Sequence, residues 1–141
     1  MKKLGFGLLL LSLWSSLASA AQTVPLLFGV SRLDVELALD PATRAEGLMN
    51  RTELPVDQGM LFRFGRPQRV CRWMKNTYIP LSVAFIDGHG QIINMLDMAP
   101  HSLEPRCSDR DVVYAVEAEQ GWFANHGVQP GWYVQGLMNL P

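Results

Sequence analysis

The chain has 141 residues, 12 basic and 13 acidic side chains, a formal net charge of −1 and 48% hydrophobic residues. That length suits one domain with one core. A near-neutral charge with no basic tract argues against nucleic acid or an anionic membrane surface as the main partner.

Residues 1–20 read as a secretory signal peptide. Lys2 and Lys3 form a positive start, Leu4 to Leu17 is apolar apart from Gly and Ser, and Ala18-Ser19-Ala20 is a small-x-small cleavage site. The apolar run is too short and too serine-rich to favour a permanent membrane span. A single domain over residues 21–141 is expected, periplasmic or secreted, with no membrane attachment after cleavage.

Leu33 to Leu39 alternates apolar with polar or small residues, the pattern of a half-buried strand. Asp40-Pro41 supplies an N-cap and a first-turn proline, and a helix is predicted from Pro41 to Met49. Gly47 inside that helix points to a close backbone approach. Gly59 to Phe64 is predicted as a strand, Gly65 to Arg69 as a loop, and Val70 to Met74 as a further strand. Leu81 to Ile86 is a strand apolar on both faces, and Asp87-Gly88-His89-Gly90 is a hairpin loop leading to a return strand over Gln91 to Met98. Ala99 to Arg110 reads as irregular. Val112 to Glu119 alternates, with Val112, Tyr114 and Val116 on one side and Glu117 and Glu119 on the other. A helical turn over Gly121 to His126 stops at Gly127, and Pro130-Gly131 turns into a last strand, Trp132 to Leu137. Short strands with turns between them, and one or two short helices, predict a mainly β sandwich or barrel.

Cys71 and Cys107 are the only cysteines. An even count in an exported protein favours a disulfide between them. They lack the short paired spacings of a zinc site and the Cys-x-x-Cys of a redox pair. No metal or cofactor is expected.

Gly47-Leu48-Met49 with Arg51, Gly59 to Phe62, Trp73-Met74-Lys75-Asn76-Thr77, Ile79-Pro80-Leu81 and Phe85-Ile86-Asp87 stand in a familiar order and spacing. Tyr114, Glu117, Gly121-Trp122-Phe123, Gly127 and Gly131 continue it. The chain resembles the bacterial and archaeal domain-of-unknown-function family 192 over roughly residues 33–137. The resemblance implies a small jelly-roll-like β fold and no defined activity. Ser82 and Trp132 stand where the family often has aspartate.

Lys75 is the only lysine beyond residue 3, in a chain whose other positive charges are nine arginines. With Trp73 as an apolar wall and Asn76 and Thr77 as polar neighbours, it is the centre of a candidate site for a small or anionic ligand. Arg51 and Asp87 are the charged residues expected nearby. The bland alternatives are a lysine stem lying on the Trp73 ring with its head in water, turn roles for Asn76 and Thr77, an ion pair for Arg51 and a capping aspartate at Asp87. A second hypothesis makes Lys75 a general base or amine nucleophile. No Gly-x-Ser-x-Gly or His-Glu-x-x-His motif accompanies it. A third is soft-metal binding by Met95, Met98 and His101, opposed by the odd spacing that puts the two methionines on opposite faces of a regular strand. The fourth is an accessory protein that binds another protein. Trp122-Phe123 reads as a core plug, Trp132-Tyr133 as strand residues, His89 as a solvated turn residue and His126 as the end of a short helix.

Overall fold

The computed structural model describes residues 1–2 and 21–141. The signal-peptide reading of residues 1–20 therefore lies outside the described residues, save for Met1 and Lys2. No described helix is long and apolar enough to cross a membrane.

The described residues form nine strands and two short helices: β1 (Thr23–Phe28), β2 (Ser31–Ala38), α1 (Pro41–Glu46), β3 (Gln58–Gln68), β4 (Cys71–Arg72), β5 (Leu81–Ile86), β6 (Ile92–Met98), β7 (Arg106–Cys107), β8 (Val112–Glu119), α2 (Trp122–Asn125) and β9 (Val134–Gln135). A single 3₁₀ turn over Leu137–Asn139 closes the chain. Seven strands form one sheet in the order β6-β5-β8-β3-β2-β1-β9, and β4 pairs with β7 alone. β2 and β3 are parallel, joined through α1, and the other pairs are antiparallel. The sheet curls into a half-barrel. One corner of its two edges is joined, where Gln91 bridges Tyr133 and Ile92 N–H donates to the Trp132 carbonyl at 2.8 Å.

Both faces of the sheet are covered, which explains why all six residues of β5 are buried. Inside the curl, Leu26, Leu33, Leu61, Ile86 and Val116 pack against Trp122 and Phe123 of α2. On the other face, Phe62, Val83, Phe85 and Ala115 pack against Leu48, which follows α1, and against Val70, Met74 and Ile79 from the segments flanking β4. Burying one large apolar side chain contributes about 1.5–3 kcal/mol, so the segment from Val70 to Ile79 is part of the second core and not a decoration on it.

Several boundaries differ from the sequence reading, each for a physical reason. The helix predicted to Met49 ends at Glu46, because Gly47 takes φ 50° and ψ −129°. A Cβ there would lie 3.1 Å from the Arg72 guanidinium and 3.3 Å from the Phe62 ring, the close approach expected at this glycine. β3 runs through the predicted Gly65–Arg69 loop as far as Gln68, with a register shift after Arg63. β1 was not anticipated, since Pro25 interrupts its apolar run. β9 pairs only with Leu27 and Phe28, so at Pro25 one side of β1 is a free edge where a missing N–H costs little. The predicted strand over Val70 to Met74 shortens to Cys71–Arg72, and the irregular Ala99–Arg110 segment contains its partner, Arg106–Cys107. The last strand shortens to two residues. In β8, Val116 and Ala118 face the inside of the curl while Ala115 and Val112 face the other core. Glu117, expected on a solvated side, is buried at 2% exposure.

Candidate functional site

The segment Trp73–Pro80 leaves β4 as a loop whose side chains divide into anchors and display. Met74, Thr77 and Ile79 are buried, whereas Trp73 is 45% and Tyr78 53% exposed. Lys75 and Asn76 are exposed as well. Asn76 adopts φ 52°, a left-handed conformation that asparagine tolerates better than most residues. It places Thr77 N–H 3.1 Å from the Met74 carbonyl and the Thr77 hydroxyl 3.0 Å from the Lys75 carbonyl.

Three ties fix this loop to its neighbours. Asn50 N–H donates to the Asn76 carbonyl at 2.8 Å, Met74 N–H to Ser102 at 2.8 Å, and His101 N–H to the Thr77 carbonyl at 3.1 Å. Cys71 and Cys107 are joined by a disulfide across the β4–β7 pair. Tyr78 meets His101 edge-on, with ring centroids 4.7 Å apart. Below the loop, Arg72 Nε donates to Glu117 Oε1 at 2.9 Å, and the guanidinium lies 3.8 Å from the Phe62 ring centroid. Both side chains are largely buried, at 14% and 3% exposure. Sequence reading assigned no role to this ion pair; nothing in a linear chain joins residues 45 positions apart.

Of the six candidate residues, Trp73, Lys75, Asn76 and Thr77 share one loop, Arg51 follows the residue tied to Asn76, and Asp87 lies apart. The Lys75 ammonium lies 5.4 Å from the Trp73 ring centroid, and no hydrogen bond or ion pair to it occurs among the described residues. Trp73, with Pro105, Cys71 and Arg72, also lines a small, mainly apolar depression of about 210 Å³. Arg51 instead pairs with Glu36 of β2 at 2.6 Å. Asp87 caps the β5–β6 hairpin, accepting from His89 and Gln91 N–H groups at 2.9 Å each. It sits beyond the far end of β5 from the Lys75 loop, about 20 Å along a strand of that length. Asn76 and Thr77 serve the turn. The methionines of the soft-metal alternative also separate: Met95 packs toward the inside of the curl, and Met98 belongs to the other core.

Two further cavities lie along β6. One of about 400 Å³ is lined by Ser82, Met95, Leu96, Asp97, Arg106 and Phe123, and a second of about 210 Å³ by Met74, Ser102, Glu104 and again Asp97 and Arg106. Arg106 Nε donates to the Asp97 carbonyl at 3.1 Å, which caps the open edge of β6. Asn94 makes a similar tie, donating to the Cys107 carbonyl at 3.2 Å and accepting from Asp109 N–H at 3.0 Å.

This arrangement has known counterparts. The model of domain-of-unknown-function family 192 (DUF192, described as an "Uncharacterized ACR") matches residues 27–136. The chain belongs to that family. A solved structure from Sinorhizobium meliloti 1021, described as a "putative transcription regulator", is 40% identical, with a TM-score of 0.76 over 81% of this chain and 92% of that one. A protein of unknown function from Novosphingobium aromaticivorans DSM 12444 is 33% identical, with a TM-score of 0.77 over 84% of this chain and 89% of that one. None of the curated proteins matches.

The two departures from the family 192 pattern take local structural roles. The Ser82 hydroxyl donates to Asp97 Oδ1 at 2.7 Å and accepts from Gly121 N–H at 3.1 Å. Asp97 is the residue directly opposite Ser82 in the β5–β6 register. A carboxylate thus lies in this place, carried by the neighbouring strand. Trp132 lays its ring against Gly29, where an added Cβ would come within 3.2 Å of it.

Proposed function

We propose that this family 192 member is an exported binding module whose recognition element is the Trp73–Pro80 loop, taking a small anionic ligand that also carries a flat apolar part. The observation that carries this reading is the Lys75 ammonium, without a hydrogen-bond or ion-pair partner among the described residues, beside the exposed Trp73 ring, which also lines an apolar depression. A cation next to an apolar wall favours an anion whose hydrocarbon body can lie on that wall. The rigid backing of the loop supports it further, since a pre-ordered site loses less entropy on binding. Amine catalysis is favoured less, because an activated lysine needs a desolvated setting and Lys75 is exposed. Export is supported by the N-terminal sequence and by the Cys71–Cys107 disulfide, a bond that persists in oxidising compartments.

Benzoate is a suitable probe, with benzamide as its uncharged counterpart, and the Trp73 indole N–H resonance reports contact. Benzoate is expected to shift that resonance saturably, benzamide at least about tenfold more weakly. Lys75→Met removes the preference while changing stability by under about 1 kcal/mol. Equal binding of both probes, or no saturable shift with either, overturns the reading.

A further inference from the structure

The cavities along β6 present a second kind of chemistry. Asp97 and Arg106 line both of them, yet their charged ends form no ion pair with each other: among the described residues, the one carboxylate within 4.0 Å of the guanidinium is Glu104. Arg106 spends its Nε on the Asp97 backbone carbonyl, and one terminal nitrogen lies at the long distance of 4.0 Å from Glu104 Oε1. Asp97 accepts one hydrogen bond, from the Ser82 hydroxyl at 2.7 Å, which orients the carboxylate and leaves its other oxygen without a protein donor. Phe123, Met95 and Leu96 supply an apolar wall to the same cavity of about 400 Å³. Ligand clefts of this size are typically apolar, with a few placed polar groups that set orientation.

From this juxtaposition we infer that the β6 cleft is a binding site for a zwitterion of the α-amino acid class with an apolar side chain. The ligand ammonium lies against Asp97, its carboxylate takes the terminal guanidinium nitrogens of Arg106 as a charge-assisted fork, and its side chain packs on Phe123, Met95 and Leu96. An acid and a base that share a cavity without neutralising each other are each satisfied by one ligand bearing both charges. A ligand with a single charge leaves the other group unmatched and competes with water for it. Glu104, 71% exposed, is the side chain that competes with the ligand carboxylate for Arg106.

The test uses the protein with L-leucine, N-acetyl-L-leucine and L-leucinamide, followed by amide chemical-shift titration and calorimetry. L-leucine is expected to shift the Ser82, Asp97, Leu96 and Phe123 resonances. Removing its ammonium or its carboxylate is expected to weaken binding at least about tenfold each. Asp97→Asn and Arg106→Gln should each bring a similar loss, and Glu104→Gln should tighten binding. Because the ligand series is run on the unaltered protein, the result does not depend on either variant folding. Binding of leucinamide as tight as leucine shows a site for cations alone, equal binding of the acetylated form a site for anions alone, and absence of saturation up to about 10 mM no site at all; each overturns the inference. Lys75→Met is expected to leave leucine binding unchanged, so this outcome and that of the benzoate experiment are read separately.

Discussion

Arg72 Nε lies 2.9 Å from Glu117 Oε1 beneath the Trp73–Pro80 loop, and the pair joins β4, outside the main sheet, to β8, an interior strand of it. The guanidinium is sandwiched between the Phe62 ring and the chain at Gly47, and also reaches the Arg44 carbonyl at 3.4 Å. A single charge contact therefore helps set the height of the loop above the sheet. Removing one partner strands a charge in a largely apolar setting. Glu117→Leu or Arg72→Met is expected to cost about 3–5 kcal/mol in urea unfolding, whereas the two changes together cost clearly less than either the sum or the worse single variant. Additive losses would show that the pair is not acting as a pair.

The disulfide closes a loop with a sequence separation of 36. The chain-entropy model assigns such a crosslink about 3–4 kcal/mol. Replacing both Cys71 and Cys107 with serine should lower stability by about that amount. It should also speed amide exchange at Met74 and His101, whose N–H groups tie the two loops together. Unchanged exchange at those two amides would mean that the backbone bonds hold the loop without the crosslink.

Much of this architecture is legible in the chain. The Asp87–Gly90 turn, the largely apolar Leu81–Ile86 strand, the Trp122-Phe123 plug and the Cys71–Cys107 link follow from local pattern and residue type. The parallel pairing of β2 with β3 does not, because period-two alternation fixes which face is buried but not which strand lies alongside. Burial of Glu117 was hidden for a related reason. A glutamate in an alternating strand reads as solvated unless its distant partner, Arg72, is known. Lys75 stood out by composition, yet composition cannot tell an ammonium on a Trp ring from one in a cleft. Asp97 and Arg106 carried no local signal at all, since their shared cavity exists only once β6 and β7 are brought together.

Asp40 caps α1 by accepting from Thr43 N–H at 2.8 Å and from the Thr43 hydroxyl at 2.7 Å. These bonds favour the charged form, the backbone one most, and hold the Asp40 carboxyl below its ordinary value of 3.8. Because the folded value is the lower one, the cap contributes stability above the unfolded carboxyl range, and that contribution is lost as pH falls through the folded value. The Thr43 amide resonance is expected to titrate below pH 3.8, and Asp40→Ala should abolish that step and lower the melting temperature at neutral pH. A Thr43 amide that titrates at or above the ordinary value contradicts the cap.

Gly59 and Gly65 lie on the same strand and offer an internal contrast. A Cβ on Gly59 would collide with the backbone carbonyl oxygen of Glu117 on the neighbouring β8 strand and lie 3.3 Å from Leu33, whereas one on Gly65 would meet nothing within 4 Å. Neither glycine has a positive φ, so conformational freedom is not the issue at either position. Alanine at residue 59 must push β8 away from β3 where Glu117 holds Arg72, and a core that cannot yield responds with about 1–3 kcal/mol of strain. Gly59→Ala is therefore expected to destabilise by at least that much and to raise amide exchange along β8. Gly65→Ala should be neutral or stabilising by up to about 1 kcal/mol through the lowered entropy of the unfolded chain. Equal effects of the two substitutions in matched urea titrations would refute the close β3–β8 approach at Glu117 on which the geometry of the Arg72 ion pair depends.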